Sequence, residues 1–202
     1  MKKVLCFGDS NTFGFIPKNG GRYSKNERWS GILSEISKQE FEIIEAGCNN
    51  RTCVAKNVQG IEYIGVKILS KYVKEDIDTV ILALGINDVQ FLYDVTVDNI
   101  KNGMEELINI SKTINPNIEI VIVSPNSVTE DIFNGYFVCQ FNETSIEKSK
   151  QISEKYFELS KKYNCKFLDL NKIAKVSKFD GLHYEKEEHE KIAKKMYEIL
   201  KK

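Results

Sequence analysis

The stretch Val80-Ile81-Leu82-Ala83-Leu84 is apolar at every position, which is typical of a strand that is covered on both faces. Such strands occur in parallel sheets that carry helices on both sides. Four other short apolar runs are also typical of strands, and longer stretches separate them. The sequence therefore predicts five strands, at residues 4–7, 41–46, 79–84, 118–123 and 166–170.

The stretches between these runs carry apolar residues at spacings of three and four, which is the pattern of amphipathic helices. A final helix is predicted from Glu187. Strands joined by helical crossovers indicate an α/β fold with a five-stranded parallel sheet between two helical layers. No linker or repeat interrupts the chain, so we expect residues 1–202 to form one domain. The three internal helical sets are Ile61, Ile64, Ile68 and Tyr72; Ile100, Met104, Leu107 and Ile108; and Ile152, Tyr156, Leu159 and Tyr163.

Polar turns follow the first four predicted strands, and ligands bind beyond the carboxyl ends of the strands in open sheets of this kind. We therefore expect the functional site at this rim of the sheet. A further polar loop, Asp180-Gly181-Leu182-His183, precedes the last helix. The four turns are Gly8-Asp9-Ser10-Asn11-Thr12, Gly47-Cys48-Asn49-Asn50-Arg51-Thr52, Gly85-Ile86-Asn87-Asp88 and Ser124-Pro125-Asn126.

Ser10 is a candidate nucleophile because it lies in a strand-to-helix turn beside Gly8, although a serine there is also a common helix N-cap. A general base that titrates near neutrality is most often histidine, and the chain has two. His183 follows Asp180 by three residues, so one tight turn can aim the carboxylate at the ring; the same pair also suits a simple turn. His189 lies among charged residues, and we expect it on the surface of the last helix.

Asn87 follows a buried strand, where its side-chain amide is placed to donate to an oxyanion. The backbone N–H groups of Ser10 and Gly47 are further candidate donors at the same rim. An Asx-turn that closes the strand is the alternative role for Asn87. Acyl transfer has four requirements: a nucleophile, a base, a group that orients the base, and donors for the oxyanion. The residues above are candidates for each.

In order and context, four blocks of the chain resemble those of the GDSL/SGNH hydrolase family, and the resemblance covers nearly the whole sequence. It implies a flavodoxin-like three-layer α/β/α fold and a metal-independent mechanism without a cofactor. It also implies a Ser10, His183 and Asp180 triad, with Ser10, Gly47 and Asn87 forming the oxyanion hole. The blocks are Gly8-Asp9-Ser10, Gly47, Gly85-Ile86-Asn87-Asp88 and Asp180-Gly181-Leu182-His183.

Within that family, several stretches are similar to the bacterial arylesterase and acyltransferase branch, among them Arg28-Trp29 and the block from Glu45 to Thr52. The similarity nominates Asp9, Trp29 and Asn49 as substrate-binding residues, and it raises homo-oligomer formation as a hypothesis. Three positions depart from the broad family pattern and bear on the substrate class. Asn11 stands where leucine is frequent, and Glu45 and Asn50 stand where asparagine and glycine are frequent.

Aromatic residues downstream of the rim turns are candidates for an acyl or aryl pocket, although core packing is the alternative for each. Residues 127–141 follow the fourth strand, are rich in aromatic side chains and form an irregular stretch. We expect this segment to act as a lid or as a subunit contact. The candidate pocket residues are Phe13, Phe15, Trp29, Phe91, Phe133 and Phe137.

The composition is that of an ordinary globular protein, with 42% hydrophobic residues and 29 acidic side chains balancing 29 basic ones. A balanced charge argues against nucleic-acid and anionic-membrane partners and favours small neutral substrates. The first apolar run ends at Gly8, too early for an export signal, so we expect a cytoplasmic location. The five cysteines have no Cys-x-x-Cys pair, which favours reduced thiols and no metal site, although Cys48 and Cys53 are close in sequence.

The sequence thus predicts a serine esterase that hydrolyses small acyl or aryl esters through an acyl-enzyme, with acyl transfer as a further activity. A carbohydrate or other acyl-conjugate deacetylase is the alternative enzyme. A noncatalytic binding module on the same fold is the alternative from another class, and it predicts a missing nucleophile, base or donor. Histidine ordinarily titrates at about pH 6.5 and must be neutral to act as a base, so we expect activity to rise from mildly acidic toward neutral pH.

Overall fold

The structure, a computed structural model, describes residues 1–202. Its five strands are β1 (Lys2–Gly8), β2 (Phe41–Gly47), β3 (Thr79–Ala83), β4 (Glu119–Ser124) and β5 (Lys166–Asp169). All pairs are parallel, and the order across the sheet is β2-β1-β3-β4-β5. The α/β fold class and the five-stranded parallel sheet are therefore confirmed, and each strand begins and ends within two residues of its predicted limits.

The α-helices are α1 (Ser10–Phe13), α2 (Trp29–Ile36), α3 (Gly65–Tyr72), α4 (Val97–Ile114), α5 (Glu143–Tyr163) and α6 (Lys186–Leu200). Five short 3-10 helices also occur, at Ile61–Tyr63, Asn87–Val89, Phe91–Tyr93, Glu130–Asn134 and Leu170–Lys172. None of the helices combines the length and the apolar character that a membrane crossing requires. The helices α4 and α5 contain two of the predicted apolar sets, and α6 begins one residue before its predicted start. The sequence pattern did not reveal α1 and α2.

The predicted helix over residues 61–72 is wrong in its first turn. Ile61 is exposed in a 3-10 helix, and Ile64 has extended backbone angles. The reason is a local parallel bridge between Thr52 and Ile64, in which the Thr52 N–H donates to the Tyr63 carbonyl and the Gly65 N–H donates to the Thr52 carbonyl. The backbone around Ile64 thus pairs with the loop that follows β2, and α3 begins at Gly65.

Two apolar cores lie on opposite faces of the sheet, because successive side chains of a strand point to opposite sides. In β1, Leu5 and Phe7 belong to the larger core, which α3, α4 and α5 cover. Val4 and Cys6 belong to the smaller core, which α2 and α6 cover. This arrangement explains why the strands are apolar at nearly every position.

The carboxyl ends of the first three strands lie level with one another. Gly8 at the end of β1 is paired with Gly47 of β2 and with Ala83 of β3. Because β1 lies between β2 and β3, the connections to its two sides diverge at this point, which is where open α/β sheets bind ligands. The turns that follow β1, β2 and β3 therefore meet at one rim.

Candidate active site

Ser10 lies at the first position of α1, directly after the turn that ends β1. Asp9 caps this helix, since its side chain accepts the Asn11 N–H, and Gly14 ends it with a left-handed φ of 87°. Gly8 allows the sharp turn: a Cβ at this position would lie 2.1 Å from Thr12 Oγ1. The chain thus turns from strand to helix within a few residues, and the turn directs the Ser10 hydroxyl toward the loop before α6.

The structure brings the three predicted triad residues together. His183 Nε2 lies 2.8 Å from Ser10 Oγ, and His183 Nδ1 lies 2.7 Å from Asp180 Oδ2. The other carboxylate oxygen, Asp180 Oδ1, accepts the backbone N–H groups of Leu182 and His183 at 3.0 Å each. Asp180 therefore holds the loop with one oxygen and the imidazole with the other, which favours the tautomer whose Nε2 accepts the serine proton.

All three side chains are buried, and the contacts of Asp180 favour its ionised form. Burial acts to raise the pKa of Asp180. The hydrogen bond and charge of His183, together with the two backbone N–H groups, outweigh burial and lower the pKa below its usual value. The carboxylate is thus kept charged beside the ring, where it stabilises an imidazolium that forms when His183 takes a proton.

A cavity of about 180 Å³ opens onto Ser10 and His183. Its wall is mainly side-chain amides and aromatic rings, and it contains no aspartate, glutamate, lysine or arginine. The Phe15 ring lies 4.3 Å from the His183 ring and the Phe137 ring 5.3 Å from it, centroid to centroid, so both cover the candidate base. The lining residues are Ser10, Phe15, Asn49, Asn50, Gln59, Asn87, Phe137, Gln140, Leu182 and His183.

Asn87 lies in this wall with its side chain held from both ends. Its Nδ2 donates to the Arg51 carbonyl at 3.1 Å, and its Oδ1 accepts from Gln90 Nε2 at 3.2 Å. An amide nitrogen carries two N–H groups, so one remains for a ligand after the bond to Arg51. The geometry is therefore compatible with the oxyanion role that the sequence suggested for Asn87.

Gly47 does not line the cavity, contrary to the expectation that it joins the oxyanion hole. A Cβ at Gly47 would lie 2.2 Å from the Phe13 backbone nitrogen, so this glycine serves close packing of the end of β2 against α1. Asn50, three residues later, lies in the cavity wall with a left-handed φ of 57°. Asparagine tolerates this conformation, which explains how it stands where the family often has glycine. Asn50 is the candidate donor from this loop.

Of the proposed substrate-binding residues, only Asn49 lines the cavity. Asp9 and Trp29 are buried on the other side of the Ser10 turn, and Trp29 packs in the smaller core. The structure therefore places both away from this cavity, which the sequence could not reveal because motifs do not tell which face of a turn a side chain occupies. Phe15 and Phe137 line the cavity as predicted, whereas Phe13, Phe91 and Phe133 do not.

His189 is fully buried, so the prediction of a surface position is wrong. Its Nδ1 accepts the Trp29 N–H at 3.3 Å, and the rings of Tyr23 and Tyr184 lie 5.2 and 5.8 Å away. Burial, with a smaller contribution from His183, lowers the pKa of His189 to about 3. His189 is therefore a neutral packing residue behind the site.

Arg51 and Asp88 are buried residues that organise the rim, although the sequence pattern assigns them no role. Arg51 Nη1 donates to the carbonyls of Gly8 and Ala46, at 2.9 and 2.5 Å, and so ties the ends of β1 and β2 together. Asp88 accepts the N–H groups of three successive residues, Cys53 to Ala55, at 2.6 to 2.9 Å. Burial raises the pKa of Asp88 to about 6, although these donors oppose the rise. Both lie in the motifs quoted above, beside Asn50 and Asn87.

Residues 127–141 contact the loop that carries Asp180 and His183. The Thr129 N–H donates to the Gly181 carbonyl at 3.0 Å, and a Cβ at Gly135 would lie 2.8 Å from Asp180 Cα. Ile132 within the segment is fully buried, and Phe137 reaches the cavity. The segment therefore forms one wall of the site; whether it also acts as a lid or a subunit contact stays a prediction.

The cysteines and carboxylates form no group suited to a metal. No cluster of three or more histidine, cysteine, aspartate or glutamate side chains has metal-binding geometry. All five cysteines are free thiols, and Cys48 and Cys53 are not paired.

Comparison with known proteins places the chain among hydrolases. A sequence model of the GDSL-like lipase/acylhydrolase family matches residues 6–190. A carbohydrate acetylesterase family member from Sinorhizobium meliloti is 26% identical, with a TM-score of 0.92 over 100% of this chain and 98% of that one. The native aryl esterase of M. smegmatis is also 26% identical, with a TM-score of 0.91 over 100% and 99%. No curated protein sequence matches the chain.

Proposed function

The chain belongs to the GDSL-like lipase/acylhydrolase family, and on this premise we propose that it is a serine esterase acting on small acyl or aryl esters. The observation that carries the proposal is the continuous hydrogen-bonded series Ser10–His183–Asp180, of which Ser10 and His183 line the amide-rich cavity. The aryl esterase among the similar structures supports the ester class.

In the proposed first half-reaction, Ser10 Oγ attacks the ester carbonyl carbon while His183 Nε2 takes the hydroxyl proton. The carbonyl oxygen becomes an oxyanion. Its proposed donors are Asn87 Nδ2 and the backbone N–H groups of Ser10 and Asn50, with Asn50 replacing Gly47. The tetrahedral intermediate collapses, the ester C–O bond breaks, and His183 gives its proton to the leaving alcohol or phenol.

The second half-reaction releases the acid from Ser10. Water enters, His183 removes one proton from it, and the resulting hydroxide attacks the acyl carbonyl. Ser10 leaves with the proton that His183 returns. An alcohol that enters in place of water completes acyl transfer by the same steps, and the rings of Phe15 and Phe137 provide an apolar approach that favours such an acceptor.

A second candidate function is deacetylation of a carbohydrate, which would use the same triad. The observation that favours it is the number of amides in the cavity wall, since five of its ten lining residues are asparagine or glutamine. Amides both donate to and accept from hydroxyl groups, and they leave the site uncharged. The similar structure from S. meliloti, described as a carbohydrate acetylesterase family member, is in line with this candidate.

The proposed nucleophile is tested with p-nitrophenyl esters of increasing chain length and with a fluorophosphonate label on wild type and Ser10→Ala. We expect the variant to lose about a thousandfold or more in kcat and to lose the label, because its attacking oxygen is gone. Ser111→Ala is the matched control, since Ser111 is buried in α4 and donates only to the Leu107 carbonyl. A wild type that neither hydrolyses nor labels would favour the noncatalytic binding module.

The two enzyme candidates are separated by comparing kcat/KM for acetylated sugars with kcat/KM for p-nitrophenyl acetate. The informative variant is Gln140→Leu, because this side chain faces the cavity and makes none of the triad contacts. If the substrate is a carbohydrate, the loss of an amide partner lowers kcat/KM about tenfold for the sugar and much less for the aryl ester. Equal effects on both substrates would argue for the aryl ester.

A further inference from the structure

Asn11 joins the two halves of the candidate triad from behind. It follows Ser10 in the chain, and its Nδ2 donates to the Leu182 carbonyl at 3.3 Å. Leu182 is the residue before His183. The Asn11 side chain therefore connects the turn that carries Ser10 to the loop that carries His183, and these two residues lie 173 positions apart in sequence.

The other end of the Asn11 amide lacks a partner. Asn11 Oδ1 is buried and accepts no hydrogen bond from the protein. Only 9% of the residue is exposed to solvent. The orientation of the amide is fixed, because the Leu182 carbonyl can only accept and so must face the nitrogen. A buried acceptor of this kind is rarely left without a hydrogen bond in a native protein.

Asn11 lies in the wall of a small cavity on the side of the Ser10 turn away from the proposed substrate site. The cavity has a volume of about 20 Å³, enough for one water molecule. Most of its wall is apolar, but Asp9, Thr12 and Tyr184 also line it, so a water bound to Asn11 would have further polar side chains beside it. Two to four such partners are typical of buried water.

We propose that this cavity is a specific site for one water molecule bound to Asn11 Oδ1, and that Asn11 with its water is a positioning residue for the Ser10–His183 pair. The water satisfies Oδ1, and the satisfied amide holds the Leu182 carbonyl. The result is a fixed separation between the nucleophile turn and the loop that carries the base. The inference rests on the proposed function of Ser10 and His183.

Asp9 completes the site. Its Oδ1 accepts the Asn11 N–H at 2.9 Å, so the carboxyl is anchored within the same turn. Burial raises the pKa of Asp9 to about 7, partly offset by the Asn11 N–H and by Arg51. Near neutral pH a large fraction of this carboxyl therefore carries a proton, which makes it a donor to the water as well as an acceptor.

The informative variant is Asn11→Leu, which keeps a similar volume, removes both polar ends and places in the cavity a side chain that is frequent at this position of the family. We expect kcat for p-nitrophenyl acetate to fall about tenfold or more, because a small displacement of reacting groups costs up to about a hundredfold. KM should change less than about threefold, since Asn11 does not line the substrate cavity. The rate of fluorophosphonate labelling should fall with kcat.

Asn115→Leu is the matched control, because Asn115 also donates through its amide to backbone carbonyls, those of Glu75 and Ile77, but at the opposite rim of the sheet. It should lower Tm and leave kcat unchanged. An Asn11→Leu enzyme with wild-type kcat overturns the positioning role, whatever its Tm. An inactive, unlabelled wild type would instead be a failure of the proposed function.

The water itself is tested independently of activity by a high-resolution crystal structure of the wild type. We expect an ordered water within hydrogen-bonding distance of Asn11 Oδ1 and Asp9, and no water there in Asn11→Leu. A dry wild-type cavity overturns the proposal even if Asn11→Leu does not fold.

Discussion

The two histidines of this chain have opposite environments. His183 has a hydrogen-bonding partner on each ring nitrogen, whereas His189 accepts one backbone N–H and leaves its buried Nε2 without a partner. A buried imidazole of that kind must stay neutral, and the pKa of about 3 for His189 expresses this requirement. The sequence did contain a signal, since His189, Ile192 and Met196 share the spacing of three and four that marks the buried face of α6.

This contrast predicts how His189→Gln behaves. The pKa of His189 is lower in the folded protein than in the unfolded chain, so the unfolded chain takes up a proton first as the pH falls. The wild type therefore loses stability below about pH 6.5. Glutamine does not titrate. We expect the wild type to lose about 2 to 3 kcal/mol more than His189→Gln in the free energy of unfolding between pH 6.5 and 4.5. Urea unfolding at several pH values measures the difference.

The same variant checks the assignment of the base. Because His189 contacts neither Ser10 nor the cavity, His189→Gln should keep esterase activity within a few fold at pH 7, whereas His183→Gln should lose about a thousandfold or more. Parallel pH dependence of stability in wild type and His189→Gln would show that His189 is not buried as described.

At the scale of elements, α4 depends on a glycine within its buried face. Gly103 lies where the helix meets the loop after β2: a Cβ there would be 2.5 Å from Val54 Cβ and 3.1 Å from Cys53 Sγ. That loop is also held by Asp88 through the N–H groups of Cys53 and Val54. The close approach of α4 therefore supports the rim that carries Asn50 and Asn87.

Gly103→Ala should destabilise the protein although alanine is the better helix former. Helix propensity favours alanine by about 1 kcal/mol, but overpacking against a fixed Val54 Cβ costs about 1 to 3 kcal/mol and shifts the loop. Asn102→Ala, at an exposed position of the same helix, is the control and should be neutral or slightly stabilising. Chemical denaturation compares the two; a Gly103→Ala protein more stable than wild type would contradict the close packing.

The helices differ in how far sequence could predict them. The apolar stripe of α4 is long and regular, and its four predicted core residues are all fully buried. By contrast, α1 has four residues, too few to show a period, and the first turn of the predicted helix over residues 61–72 gives way to pairing with Thr52. A periodic sequence pattern does not reveal such short elements, because tertiary contacts, and not their own amphipathic pattern, define them.

At the scale of the whole molecule, the site is assembled from segments that lie far apart in the chain. Turns after β1, β2 and β3, the segment 127–141 and the loop before α6 all contribute side chains to one cavity. The level ends of β1, β2 and β3 bring the first three together. Homo-oligomer formation, inferred from resemblance alone, stays a prediction.

The sequence by itself determined the parallel α/β fold and the choice of Ser10, His183 and Asp180 as candidates. The fold follows from strand and helix periods, and the three candidates follow from the turns after strands, the scarcity of histidine and the resemblance to the GDSL/SGNH family. Only the tertiary structure decided the order of the strands, the place of Asn50 instead of Gly47 in the cavity wall, the burial of His189 and the position of Asp9 and Trp29 behind the nucleophile. The physical reason is that the direction of a side chain in a turn, and the neighbours it meets there, depend on segments far away in the sequence.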